Sequence, residues 1–564
     1  MDTTDQTIVL EGTNSIRAAT TRRRITIMAI VVAIGFAVVM GRLVQLGSTK
    51  TETVIEGRTI SEIEASRPPI LDRNGLPMAV DVRVPSLYAE PRRIIDVEEA
   101  VVAVRSVLPE LDEAWLRDRL TGDQGFVWVK RELTPAIRER IMRLGIPGLD
   151  FLTESRRFYP GGTDAAHILG TVNIDSEGIA GIERGIDDGG VAALQAVGLA
   201  RNQILEPIEL TIDMRVQHAM RTELVDAIER YKSIAAGGVM LNARTGEVLA
   251  MVSLPDFNPN VPSTALEEGR FNRITAGNFE LGSVVKTVSF AAALDSGAVT
   301  LDDTFDARFP VRFGRFAIND FRGEGRILTV PEIFRYSSNV GTIQMMQQLG
   351  KDNYHGFFSR IGFDQSIVTE LPERTPPRVA TSFSEVAAAT ASFGHGFSVS
   401  PLHMARALAA FVNGGNLISP TFYPRDEETA LAGSTRVISE ATSAQMRQLL
   451  RFNAVVGSGS RMNRLALGYR VGGKTGTAEK VIDGRYGTGK NLNVFVTAFP
   501  MEDPQYVMLI LLDEASPETP QSGNTAGWNA GEVSGRIISK VGPMLGIVPE
   551  DSRSFDDRII AGLQ

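Results

Sequence analysis

Cysteine is absent from the 564 residues, which excludes disulfides, thiolate metal sites and a cysteine nucleophile. Histidine is scarce. His167, His218, His355, His395 and His403 lie scattered along the chain, with no His-Glu-x-x-His or His-x-His spacing. No metal centre is therefore expected, and no cofactor is implied. Positive charge is in deficit: 58 Lys and Arg face 67 Asp and Glu, for a net charge of −9. No basic stripe follows the N-terminus, so a nucleic-acid partner is not expected. Apolar residues make up 43% of the chain, enough for real cores, and the length allows several domains of roughly 100–200 residues each.

The N-terminus carries the longest apolar run. Arg22, Arg23 and Arg24 stand directly before Ile25 to Met40, which is apolar apart from Thr26 and Gly35. Leu43, Val44 and Leu46 extend the run past Arg42 to about 20 residues, enough to cross a bilayer. The arginines predict a cytoplasmic tail over 1–24, a single transmembrane anchor over 25–46 and export of everything beyond. Such an anchor would hold the bulk of the chain outside the cytoplasm. A cleaved signal peptide is the alternative. No small-x-small cleavage site follows the run, and 24 residues precede it, which is long for a signal sequence.

Residues 47–208 read as a β-rich supporting module. Asn74-Gly75 is a hairpin signal, since both residues tolerate positive φ. A helix is expected around Leu111 to Leu120, and no catalytic set assembles in this stretch. A second domain spans 209–548. Thr211-Ile-Asp213 starts a helix whose apolar spacing runs from Met214 to Tyr231. Two apolar runs, Gly237 to Asn242 and Glu247 to Ser253, meet at a Thr-Gly turn and predict a hairpin. Helical patterns then dominate from Val284 to about Phe411, and Val494 to Phe499 and Tyr506 to Leu512 are strand-like. The order predicts an α+β or sandwich domain with a sheet backed by helices. Residues 549–564 are charged and expected to form a loose tail.

Three short motifs in the second domain can carry chemistry. In Gly282-Ser283-Val-Val-Lys286 the serine hydroxyl is a weak nucleophile that needs a base. A lysine three residues on shares its helical turn. The positive end of the helix dipole can accept developing negative charge and disfavours the ammonium. Ser337-Ser338-Asn339 reads either as a helix cap or as a proton relay at Ser337 with a substrate-amide holder at Asn339. Lys474-Thr475-Gly476-Thr477 reads either as a Gly-rich turn or as a strand edge. In the second case Lys474 and Thr475 hold a substrate carboxylate and Gly476 leaves room for an acyl group. The N–H groups of Ser283 and Thr477 then form an oxyanion hole. Each motif alone is common. Their order, 54 and then 137 residues apart within one domain, matches the trio used by β-lactamases and penicillin-binding proteins.

With these motifs the chain resembles the class B penicillin-binding proteins, in their division-specific, FtsI-type branch. Arg67 to Gly75, Arg157 to Pro160, His167 to Gly170 and Gly178 to Glu183 resemble the family's pedestal, or dimerisation-like, domain. Thr211 to Asp213, Gly246 to Ser253, Pro255 to Asn260 and Asn272-Arg273 resemble its transpeptidase domain. Ser338 to Gly341 and Gly394-His-Gly396 look more like the division than the elongation branch. Pro68, Leu281 and the Val284-Val285 pair depart from the usual pattern without removing a reacting group. The resemblance implies a β-lactamase-like domain, an antiparallel sheet with helices on both sides. It implies D,D-transpeptidation of D-Ala-D-Ala stem peptides through a Ser283 acyl-enzyme, with β-lactams acylating the same serine. The implied partners are a polytopic septal glycosyltransferase and other division proteins. An elongation-type transpeptidase, a carboxypeptidase or β-lactamase, and a non-catalytic division scaffold are the alternatives.

Overall fold

The computed structural model describes residues 67–189, 206–482, 485–550 and 554–563, with 27, 28, 30, 34–37, 39 and 40 near the start. Two compact units result, Met1–Glu62 and Ile63–Gln564. The described residues of the first are helical and exposed. The expected tail over 1–24 and most of the expected anchor over 25–46 lie outside the described residues. Among the described residues no helix is long and apolar enough to cross a membrane.

The second unit is organised by one five-stranded antiparallel sheet. Its strands lie in the order Gly472–Ile482, Arg485–Phe499, Tyr506–Asp513, Ala235–Asn242, Val248–Leu254. The expected hairpin is present, with Gly246 at φ 74°. The central strands read as unbroken apolar runs because both faces are covered. Val494, Val496, Leu509 and Leu511 face a core with the helices Lys286–Asp295 and Pro401–Val412. Phe495, Met508, Ile510 and Leu512 alternate onto the opposite face, against Met214–Tyr231 and Ala530–Met544. Asp213 accepts from the Arg215 N–H and caps the first of these two helices.

The helical middle differs from expectation in one place. Residues 304–329 hold two small ribbons, Thr304–Asp306 with Ile327–Thr329 and Val311–Phe313 with Phe316–Ile318. Alternating Val311, Phe313 and Ile318 pack on Ile343, Ala389 and Phe393, a period of two that fits strand rather than helix. The charged tail differs as well. Ser554–Leu563 is a helix whose Ile559 and Leu563 pack with Phe452. The buried Arg451 guanidinium donates to both Asp556 oxygens at 2.7 and 2.6 Å. A buried cation and an i, i+4 apolar pair hold the segment that net charge alone marked as loose.

The N-terminal part of this unit combines strands with helices. Pro77–Ala89 pairs along its length with Leu149–Phe158 and also with Val127–Lys130. The helices Val97–Val107, Glu113–Leu120 and Pro135–Met142 contribute to its core. The expected hairpin turn is made, with Gly75 at φ 78°. Three of the four segments that resemble a pedestal, those of Arg67, Arg157 and Glu183, converge on one buried ion cluster. Arg67 and Arg157 donate to opposite oxygens of Glu183 at 2.8 and 2.6 Å, and Arg157 also reaches Asp81 at 3.0 Å. Backbone contacts then tie this part to the sheet domain. The Tyr159 N–H and C=O both bond the Asn260 side chain at 3.0 Å, and the Gly181 N–H donates to Glu373.

Removing one member of a buried ion cluster strands the remaining charges. The Glu183→Ala variant is expected to lose about 3–5 kcal/mol of stability. Calorimetry would show this as a lowered melting transition, and an unchanged melt would mean that the cluster contributes nothing net.

Candidate active site

The edge strand Gly472–Ile482 and a short turn meet at the site. Ser283 lies in a 3₁₀ turn, Gly282–Val285, which runs straight into the helix Lys286–Asp295. That helix is apolar from Val288 to Leu294 apart from Ser289, whose hydroxyl bonds Tyr354 and the Ser392 carbonyl, and every residue from Lys286 to Leu294 is buried, so it serves as the central rod of the helical layer. Lys286 is carried into the interior with it.

Glycine sets how closely the pieces approach. A Cβ on Gly476 would lie 2.4 Å from the Leu281 carbonyl oxygen and 2.9 Å from the Val284 nitrogen. Gly282 sits at φ 58°, and a Cβ there would lie 2.9 Å from the Thr477 carbonyl oxygen. Gly394, at φ 92°, leaves no room for a Cβ over Gly282, and its carbonyl accepts from the Gly282 N–H at 3.2 Å. Three backbones therefore touch without side chains between them. In an extended strand the N–H and C=O of one residue point to the same side. The Thr477 N–H therefore faces the Ser283 turn, as an oxyanion donor requires.

The second motif enters from the opposite wall. Ser337 adopts a left-handed conformation (φ 56°) at the end of the helix Val330–Tyr336, and Ser338 caps the next helix, Asn339–Leu349. Lys286 Nζ donates to the Ser337 carbonyl, to Ser337 Oγ at 3.1 Å and to Asn339 Oδ1 at 2.7 Å. Lys474 Nζ donates to the same Ser337 Oγ at 2.9 Å and to the Thr475 carbonyl at 3.2 Å. Both lysines are fully buried, and one serine hydroxyl bridges their amines.

Burial holds the Lys286 amine well below the usual lysine range; the Lys474 charge adds to this and Asp320 opposes it. Lys474 is lowered to about 7 by burial. The helix dipole expected from sequence is not the leading cause. Ser283 differs from expectation too: among the described residues its hydroxyl makes no hydrogen bond to Lys286, whose donors go to Ser337 and Asn339. A buried ammonium needs all three donors satisfied, and this wall supplies them. The partly exposed Ser283 hydroxyl is left uncommitted.

The structure brings together every residue singled out from the three motifs, and it adds others. Asp320 accepts from Ser338 Oγ at 2.7 Å and from the Val340 N–H at 2.9 Å, fixing the second motif from outside. Thr475 Oγ1 bonds Ser458 Oγ at 2.9 Å, and Asn453 donates to the Gly473 carbonyl at 2.7 Å. Thr477 Oγ1 accepts from the Ala526 N–H at 3.1 Å. Ser458 sits in Gly457-Ser-Gly459, a common turn composition, so only its fold neighbours single it out. A cleft of about 470 Å³ continues past the edge strand between Asn278 to Glu280, Arg378 and Ala478 to Lys480.

Two family descriptions match the chain: a penicillin-binding-protein transpeptidase domain over residues 236–539 and a penicillin-binding-protein dimerisation domain over residues 62–188. The chain is 36% identical over 493 residues to a probable peptidoglycan D,D-transpeptidase FtsI of Caulobacter vibrioides, covering 86% of this chain and 82% of that one. It is 28% identical over 507 residues to the peptidoglycan D,D-transpeptidase FtsI of Escherichia coli, covering 86% and 83%. A crystal structure of a peptidoglycan synthetase from Bifidobacterium adolescentis shares the fold, with TM-score 0.66 and 21% identity over 87% of this chain and 97% of that one. By these matches, and by the buried lysine pair around Ser337, the chain belongs to the class B penicillin-binding proteins of the FtsI type.

Proposed function

We infer that this protein is a septal peptidoglycan D,D-transpeptidase working through an acyl-enzyme on Ser283. The observation that carries the reading is the pair of buried amines on Ser337 Oγ beside an uncommitted serine at the edge of a strand. A neutral Lys286 amine takes the Ser283 proton as the oxygen attacks the penultimate D-alanine carbonyl. The oxyanion is received by the Ser283 and Thr477 N–H groups. The terminal D-alanine carboxylate meets Lys474 and Thr475, and its negative charge favours the protonated Lys474. Ser337, hydrogen-bonded to both amines, passes a proton to the departing D-alanine nitrogen, while Asn339 holds the stem amide. An amine of a second stem then attacks the ester carbonyl; Ser283 leaves and recovers its proton through Lys286. A β-lactam opened by Ser283 remains on the serine in the same way.

The apolar run over 25–46 and the three arginines before it support a membrane anchor, with residues 1–24 cytoplasmic and the catalytic domain outside the inner membrane. The septal role supports a polytopic glycosyltransferase and other division proteins as partners, reached through the anchor and pedestal.

Fluorescent penicillin is expected to label the wild type and leave Ser283→Ala dark. Lys286→Ala is expected to label on the order of 10²–10⁴-fold more slowly. Labelling of Ser283→Ala would end the assignment. A fluorescent fusion at Met1 is expected in the membrane at the division plane, and depletion of the protein is expected to leave filaments. A fusion in the soluble fraction would overturn the anchor, and rounded cells would point to the elongation branch.

Lys474 also predicts a pH effect on stability. Its pKa is about 7 in the folded protein against 10.5 when free. Between these values the unfolded chain binds the extra proton, so stability rises with pH through this window, by up to about 1.4 kcal/mol per pH unit. The penalty is complete below the folded value and gone above the free one. In Lys474→Met this contribution to the slope is expected to vanish in urea unfolding at pH 7, 8.5 and 10. An unchanged slope would show that Lys474 stays charged when buried.

A further inference from the structure

Residues 308–322, Arg-Phe-Pro-Val-Arg-Phe-Gly-Arg-Phe-Ala-Ile-Asn-Asp-Phe-Arg, put arginine beside phenylalanine four times. They carry four arginines against one acid, in a chain whose net charge is −9. The one acid, Asp320, is taken up by Ser338 and Val340. Arg308 pairs with Asp306, while Arg312, Arg315 and Arg322 have no carboxylate partner among the described residues.

The segment is held in place. The ribbon Val311–Phe313 with Phe316–Ile318 turns at Gly314 (φ 60°) and packs its inner face on Ile343, Ala389 and Phe393. Its outward rings are unused by that packing: Phe309, Phe316 and Phe321 are 67%, 59% and 83% exposed. Arg315 lies over Phe316 and Arg322 over Phe321, at 5.5 and 5.8 Å from the ring centroids. The far end of the segment is part of the active-site wall, since the Asn319 carbonyl accepts from Asn339 Nδ2 at 3.3 Å.

We propose that this arginine–phenylalanine ribbon is a secondary binding surface for the peptidoglycan polymer itself, gripping a glycan strand and the carboxylates of its stem peptides beside the catalytic site. The inference rests on the peptidoglycan reading above. Sugar rings present C–H faces that stack on the electron-rich face of an aromatic ring. Guanidinium forks bind carboxylates in pairs of hydrogen bonds. The two groups alternate along one short rigid segment, which matches a polymer that alternates sugar rings with acidic side branches. An anionic lipid surface would attract similar groups. The bond to Asn339 favours the polymer, because whatever lies on the ribbon lies next to the stem that reacts.

The test is sedimentation of the full-length protein in detergent with purified sacculi, after penicillin has occupied Ser283. Arg312→Glu/Arg315→Glu and Phe309→Ser/Phe316→Ser are each expected to bind roughly tenfold more weakly. Wild-type binding is expected to fall with salt and with amidation of the sacculus carboxylates. The rate of fluorescent-penicillin labelling is expected to stay at the wild-type value in both variants. Sedimentation equal to wild type overturns the proposal. So does binding of the wild type to phosphatidylglycerol vesicles but not to sacculi. Slowed penicillin labelling with unchanged sacculus binding would also overturn it, by showing that the ribbon only supports Asp320. Failure of wild-type labelling would instead strike the acyl-enzyme reading, which sacculus binding does not report.

Discussion

Two lysine amines sunk on either side of one serine hydroxyl impose the main constraint on this structure. An ammonium removed from water costs several kcal/mol unless its donors are satisfied. Here the acceptors are the Ser337 carbonyl and hydroxyl, Asn339 and the Thr475 carbonyl. Supplying them requires Ser337 to take a left-handed conformation between two helices, and requires Asp320 to hold the second of those helices at its start. The cost that remains lowers both amines, Lys286 well below the usual lysine range and Lys474 to about 7.

The second constraint is steric. The edge strand, the Ser283 turn and the Gly394 loop touch backbone to backbone, and Gly476, Gly282 and Gly394 are the positions where any side chain would intrude. This contact turns the Thr477 peptide group toward the Ser283 turn. An edge strand leaves half of its backbone groups without a ladder partner. Here they are met from several sides: Asn453 donates to the Gly473 carbonyl, Lys474 to the Thr475 carbonyl, and the Thr477 carbonyl lies against Gly282.

The pedestal is tied to the sheet domain by polar contacts that join backbone to side chain. Asn260 bonds both ends of the Tyr159 peptide unit, and Glu373 receives the Gly181 N–H. The Arg67, Arg157, Asp81 and Glu183 cluster joins the pedestal segments to one another. The C-terminal helix is held by a similar buried pair, with Asp556 closing the charge of Arg451.

Much of this was legible in the linear chain. The hairpin at Gly246, the helix beginning after Asp213, the two apolar strands near 494–512 and the three motifs follow from periodicity, caps and spacing, which are local properties. The Arg67, Arg157 and Glu183 segments stood out as separate matches, with no sign that they share one ion cluster. The helix at 554–563 read as loose, because composition does not reveal a buried arginine waiting a hundred residues upstream. Ser458, Asn453 and Asp320 carried no motif, since their importance comes from neighbours distant in sequence. The sequence by itself determined which groups are available and in what order, because residue identity and local spacing are written there. Only the tertiary structure decided that Lys286 and Lys474 share Ser337 while the Ser283 hydroxyl stands free, because burial and long-range contact set protonation and direction.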